Sequence, residues 1–386
     1  MNATNPIFAI IIYLIAILTA KLIHKLKKES NNENRFKNID GLRGFLALGV
    51  FIHHASIWQQ FIHTQKWEAP KSNLYIQFGN TGVALFFMIT GFLFVTKLLN
   101  YKKDIFNWKS FFIQRFFRLF PMYIFSVLMI FIITFTITGW VLNVSYSDLF
   151  KTVFKLTTFT IFGNSTINGL DDSRFINAEV FWSLPYEWFF YIALPLISVF
   201  ILKNKPHFIY IFISLIFVLG FIIARFDRIH YLLFFVGGSI SPFIIKYLKL
   251  KINFNNFIIS SVVIILFYLI IQFDSFNSIY YKITLTIIFI LITLGNSIFG
   301  LLKSPILKFL GDISYSTYLI HGTLIYVFFN LIFGYEKAIR LTTNEYYLII
   351  FGLTPILVLL SYMFFKYIEL PFMIYSKKIS KKIELI

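Results

Sequence analysis

The chain has 386 residues, 58% of them hydrophobic and only 13% charged, with no cysteine and a formal net charge of +18. So little polar surface could not cover a soluble domain, which excludes a water-soluble fold and indicates a polytopic membrane protein. The missing cysteines exclude disulfides, thiolate nucleophiles and zinc–thiolate sites.

Apolar runs near membrane-spanning length lie at roughly 6–24, 41–62, 76–96, 111–138, 181–202, 207–224, 231–245, 255–273, 279–302, 314–334 and 346–370. They predict an all-α protein of about eleven transmembrane helices. The first run has no basic residue before it and Lys21, Lys25, Lys27 and Lys28 after it, so it reads as an uncleaved anchor. The polar linker 27–38 follows, which divides the chain into an N-terminal anchor and linker, 1–37, and a membrane domain, 38–386. Taking alternate connections together, 24 of the 35 Lys and Arg fall on one side, ten fall on the other, and Arg43 is set aside. The positive-inside rule makes the richer side cytoplasmic, with the N-terminus outside and the C-terminus inside. The basicity is thus an orientation signal and a contact with lipid headgroups, and no nucleic-acid partner is implied.

The second span, NIDGLRGFLALGVFIHHA (38–55), carries the chemistry. Arg43 and His54 are eleven residues apart, about three turns, so they share one stripe about 16 Å long, while His53 points elsewhere. Ionisable groups at the bilayer centre cost on the order of 2.5–3.5 kcal/mol, so they tend to face a protein interior or a wet cavity. For either residue alone, the alternative is a snorkelling arginine or a core histidine bonded to a carbonyl. In the third span Gly79, Gly82 and Gly91 suit close helix packing. The fourth opens FFIQRFFRLFPMY, with Arg115 and Arg118 on one face and Pro121 expected to kink it. Two guanidiniums at an inner headgroup boundary suit phosphates, whether of a ligand or of lipid.

Residues 139–180 form the longest external segment, where Asp171, Asp172, Arg174 and Glu179 make either a saccharide-binding lip or a solvated loop. In FWSLPYEWFFY (181–191), Glu187 sits at the depth of His54, so it is expected to orient that imidazole. The alternative is a glutamate bonded to a tyrosine for packing. The tenth span, LGDISYSTYLIHG (310–322), places Ser314, Tyr315, Tyr318 and His321 in its cytoplasmic half, and in IELPF Glu369 reads as one half of a structural ion pair. No metal-binding H-E-x-x-H run and no G-x-S-x-G turn occurs.

Together these segments resemble the membrane-bound acyltransferase 3 family, which modifies cell-surface polysaccharides and related glycoconjugates. The likeness runs from about Ile39 to Phe372. It rests on DGLRG with Arg43 and His54, GVALFFMITGF, R-x-x-R with P-x-Y at Arg115, Arg118, Pro121 and Tyr123, WSLPYEWFFY, LGDISYSTYLIH and IELPF. The resemblance implies a ten-helix bundle, here with an added N-terminal helix and no appended periplasmic esterase-like domain. It implies His54 as the catalytic residue supported by Arg43, with Glu187 matching one family acid while Trp188 stands where a second is common. It further implies Arg115 and Arg118 at the donor site, where Tyr123, Ser314, Tyr318 and His321 are also expected. The donor would be acyl-coenzyme A, most often acetyl, and the acceptor a hydroxyl of a surface polysaccharide or lipid-linked sugar at the plasma membrane. Two other functions fit the same residues: a transporter or flippase of an anionic lipid-linked sugar, and a non-catalytic partner in surface-polymer assembly.

Overall fold

The structure is a computed structural model that describes residues 3–25, 36–101, 106–248 and 252–384. Most of the predicted linker 27–38 and seven of the basic residues used for orientation lie outside the described residues. Among the described residues the chain is helical with no β-strand, a multi-pass membrane protein as its composition requires. In chain order the helices are α1 Pro6–Lys25, α2 Lys37–Thr64, α3 Asn73–Leu99, α4 Trp108–Ile137, α5 Tyr146–Thr157, α6 Leu184–Ser198, α7 Phe208–Ala224 and α8 Leu232–Phe243. They continue with α9 Phe257–Ile271, α10 Ile279–Thr293, α11 Pro305–Asp312, α12 Ser314–Tyr326, α13 Tyr335–Ala338, α14 Thr343–Phe364 and α15 Leu370–Glu384. Each of the eleven predicted spans coincides with a helix, and among the described residues seven helical segments are long and apolar enough by themselves to cross a membrane. The structure adds the short α5, inside the 139–180 segment.

Local chemistry sets the helix ends. The α4 amide of Ser110 is capped by the Asn107 side chain at 2.8 Å, and Thr342 and Glu345 form a capping box at the start of α14. At the far end of α2, Gln65 turns left-handed, with its N–H donating to the Phe61 carbonyl at 2.8 Å. Helix α4 runs on through Pro121 as one element of 30 residues. A π-turn, Phe365–Glu369, joins α14 to α15 and ends on the buried Glu369.

Helix α2 is the most enclosed of the seven long spans, wrapped by α3, α11 and α12. This explains how its polar residues are tolerated: they face protein on almost every side. Helix α1 shows the opposite distribution. Ile7, Ile10, Leu14, Leu18 and Leu22 form an exposed stripe three to four residues apart, while Ala9, Ala16 and Ala20 are buried against the bundle. Phe8 stacks on Tyr347 with ring centres 4.0 Å apart, and the Tyr347 hydroxyl donates to the Ala3 carbonyl at 2.6 Å. So α1 is packed along α14 as a member of the bundle.

Several close helix approaches need glycine, among them those at Gly238 and Gly322. A Cβ on Gly238 would lie 2.0 Å from the Met88 carbonyl oxygen, which lets α8 press backbone to backbone on α3. A Cβ on Gly322 would lie 2.4 Å from the Asn177 carbonyl carbon. The residue after His321 thus accepts the 171–177 turn directly against α12.

Candidate active site

The α2 stripe opens into two adjoining cavities, one at each of its two ionisable residues. Toward the start of α2 is a cavity of about 160 Å³ lined by Arg43, Arg115, Arg118, Glu187, Tyr191 and Ser314, among others. Arg115 and Arg118 project from the same face of α4, as their spacing predicts. The Arg115 guanidinium lies over the Phe94 ring, 5.0 Å from its centre, and its buried Nε has no hydrogen-bond partner among the described residues. Arg118 is held by an ion pair to Glu369 at 3.0 Å, and Glu369 also accepts a hydrogen bond from Ser316. The Tyr191 hydroxyl donates to Glu187 one turn back on α6. Arg43, Arg115 and Arg118 all act electrostatically on Glu187. Three cations and one carboxylate facing a small cavity leave it suited to a polyanionic ligand.

Eleven residues along α2, His54 lines a second cavity of about 90 Å³ with His53, Asn80, Tyr231 and Tyr318. Its Nδ1 lies 2.9 Å from Nε2 of His321 and 3.0 Å from the Val50 carbonyl oxygen. His321 is fully buried, with its Nδ1 3.1 Å from the Thr317 carbonyl. His53 turns to another helix, its Nδ1 2.8 Å from the Tyr75 carbonyl.

The two cavities share Val83 and Tyr318 as walls. The Tyr318 hydroxyl donates to the Val180 carbonyl at 2.9 Å and lies 2.8 Å from Ser183 Oγ, which pins the ring between them. On its other side the His54 cavity shares Trp182, Tyr231 and Phe276 with a vestibule of about 1420 Å³. That vestibule is lined by Arg174, Glu179, Arg225 and Arg228 as well as by aromatic rings. Arg174 and Glu179 pair at 3.3 Å, and Arg225 donates to the Thr160 carbonyl at 3.1 Å. Burial pushes the Glu179 carboxyl above its ordinary range, against the pull of Arg174 and Arg228.

Three predicted placements differ from this geometry. Glu187 does not touch His54; it faces the arginines. His321 is not in the arginine cavity; it is the ring against His54. Tyr123 lines neither cavity and instead donates its hydroxyl to the Leu156 carbonyl, tying α4 to α5. One cause covers all three. Residue counts give a position along a helix axis, but the direction in which each helix turns its side chains depends on its neighbours. Ser314 and Tyr318 do line the arginine cavity, with Ser314 donating to the Gly311 carbonyl at 2.8 Å. Tyr191, which no motif singled out, and Tyr315, placed with Ser314 and Tyr318 in the tenth span, line it as well. The first was signalled by its i, i+4 spacing from Glu187. Among the described residues no group of three His, Asp or Glu side chains is arranged to hold a metal ion.

Comparisons with known proteins bear on this arrangement. The family model described as an acyltransferase domain, acyltransferase 3, matches residues 36–366. The chain is 28% identical over 368 residues to "Putative O-acetyltransferase SACOL0978" of Staphylococcus aureus (strain COL), covering 86% of this chain and 56% of that protein. It has the same identity and coverage with "Putative O-acetyltransferase SAS0844" of Staphylococcus aureus (strain MSSA476). It is 25% identical over 312 residues to "Putative acetyltransferase ORF330" of Acidianus two-tailed virus, covering 77% of this chain and 86% of the viral protein. The chain therefore spans about half the length of the staphylococcal relatives. No solved structure matches it significantly. With the family match extending over most of its length, from the start of α2 into the π-turn before α15, this multi-pass membrane protein belongs to the acyltransferase 3 family.

Proposed function

We propose that the protein is a membrane O-acyltransferase that moves an acyl group, acetyl in the simplest case, from acyl-coenzyme A to a hydroxyl of a cell-surface polysaccharide or lipid-linked sugar. The reading is supported above all by three cavities in series: an arginine-lined one, a histidine-lined one, and a wide vestibule, with shared walls at Val83 and Tyr318 and then at Trp182, Tyr231 and Phe276. Coenzyme A carries several phosphates and a long thin arm. Arg115, Arg118 and Arg43 are suited to the phosphates, and the arm would lead past Tyr318 to His54. The charge bias of the loops supports a cytoplasmic arginine end, an external vestibule and a plasma-membrane location. The vestibule mixes aromatic faces with charged side chains, a lining that suits a saccharide.

In the transfer, His54 takes the proton of the acceptor hydroxyl as that oxygen attacks the thioester carbonyl carbon. The carbon–sulfur bond breaks, and the departing thiolate recovers the proton from the imidazolium. Holding donor and acceptor at one buried point replaces passage of a free acyl group across the bilayer with a local reaction. Glu187 serves here as the anionic member of the arginine cavity, spacing the guanidiniums around the donor.

The test is transfer of label from radioactive acetyl-coenzyme A into the glycan fraction of membranes carrying the protein. Wild type should transfer label and His54→Ala should not, with both inserted equally. Full transfer by His54→Ala removes the catalytic role. Saccharide flux across the membrane without consumption of the donor indicates a transporter instead.

A further inference from the structure

The two rings at the centre of the bundle determine each other's protonation. Nδ1 of His321 lies 3.1 Å from the Thr317 carbonyl oxygen, one turn earlier in α12. A carbonyl only accepts, so this nitrogen carries the ring's proton. Nε2 of neutral His321 is then a lone pair, 2.9 Å from Nδ1 of His54. The second neighbour of that His54 nitrogen, 3.0 Å away, is the Val50 carbonyl, another acceptor. His54 Nδ1 is therefore the donor to both. The reverse assignment would set a lone pair against a carbonyl oxygen on each ring. By elimination, the basic lone pair of His54 is on Nε2, which no hydrogen bond engages among the described residues.

We propose that His321 is the positioning residue of His54. Its Nε2 accepts the Nδ1 proton of His54, holds that ring in the tautomer that offers Nε2 to the acceptor hydroxyl, and shares the positive charge once the hydroxyl proton has moved to His54. This inference rests on His54 being the base of the transfer proposed above. The proton count is unchanged by it: the hydroxyl proton arrives at Nε2 and leaves on the coenzyme thiolate, while the Nδ1 proton stays in the bond between the rings. A carboxylate fills this orienting role in many hydrolytic sites, yet an isolated carboxylate at this depth costs several kcal/mol to desolvate. A neutral imidazole supplies an acceptor without that cost. The carboxylate predicted for the role, Glu187, is occupied in the arginine cavity.

The test uses the full chain in lipid nanodiscs, following acetyl-coenzyme A-dependent thiol release with a membrane glycolipid extract as acceptor. The chain has no cysteine, so a thiol reagent reads only the released coenzyme. His321→Gln keeps an acceptor oxygen close to the position of Nε2 and should hold kcat within about tenfold of wild type. His321→Leu has no acceptor and should lose about 100-fold in kcat with the donor KM unchanged. Comparable melting temperatures for the two variants separate this from a folding defect. Wild-type kcat in His321→Leu beside an inactive His54→Ala overturns the inference while leaving the base in place. So does a His321→Gln variant that folds normally yet is as slow as His321→Leu, or a loss confined to the donor KM. If His54→Ala keeps the full rate, the base assignment fails and this inference falls with it.

Discussion

Arg118 and Glu369 form an ion pair at 3.0 Å between the middle of α4 and the π-turn that joins α14 to α15. Glu369 is wholly buried and also accepts from Ser316 on α12, so three separate stretches of chain converge on one carboxylate. Arg115, one helical turn earlier, is not in an ion pair among the described residues: its guanidinium rests on Phe94 and reaches the Tyr191 hydroxyl, and its Nε has no hydrogen-bond partner there. The two arginines share a face, but one is tied to a carboxylate while the other keeps an unengaged Nε donor.

Arg115→Ala should therefore weaken the donor more than it slows the reaction. Loss of a charge-assisted hydrogen bond, about 1.5–3 kcal/mol, corresponds to roughly a 10- to 100-fold rise in the KM for acetyl-coenzyme A. Steady-state kinetics over a donor titration read this directly, and an unchanged KM would remove Arg115 from the phosphate site.

Glu369→Ala should act on the fold before it acts on chemistry. It leaves a largely buried guanidinium without its carboxylate, a defect worth about 3–5 kcal/mol in buried pairs. A clear drop in the melting temperature of the purified protein is expected, alongside weaker donor binding as Arg118 loses its anchor. Unaltered melting would mean that water already reaches the pair.

Val83→Trp should separate the two inner cavities. Val83 and Tyr318 are the walls they share, and Tyr318 is held by Val180 and Ser183, so a larger side chain at 83 has little room to be displaced. Donor binding, measured by equilibrium titration with coenzyme A, should persist while transfer falls by about 100-fold or more. Equal loss of both would place the donor arm along another route.

Glu179→Gln should flatten one component of the pH dependence of stability. The folded chain holds the Glu179 proton more tightly than an exposed carboxyl would, because burial disfavours the anion. Its contribution therefore favours the folded state at low pH and is lost as pH rises from the ordinary carboxylate pKa through the raised folded value. The difference in melting temperature between wild type and variant should change across that window, and a constant difference would show the side chain titrating normally.

Much of the architecture was already determined by the amino-acid order. Lipid admits only helices with satisfied backbones, so runs of about 20 apolar residues had one outcome, and each of the eleven coincides with a helix. The shared face of Arg115 and Arg118 and the common stripe of Arg43 and His54 followed from helical periodicity alone. What periodicity could not supply was rotation between helices. Residue counts put Glu187 and His54 at one depth, yet α6 turns its carboxylate toward the arginines, and α12 sets His321 against His54 across 267 residues of sequence. Tyr123 was drawn into the donor site by its place in a motif, whereas its neighbours made it a brace for α5. Residue counting along a helix measures height; which partner waits at that height depends on how the whole bundle packs, and only the folded molecule holds that information.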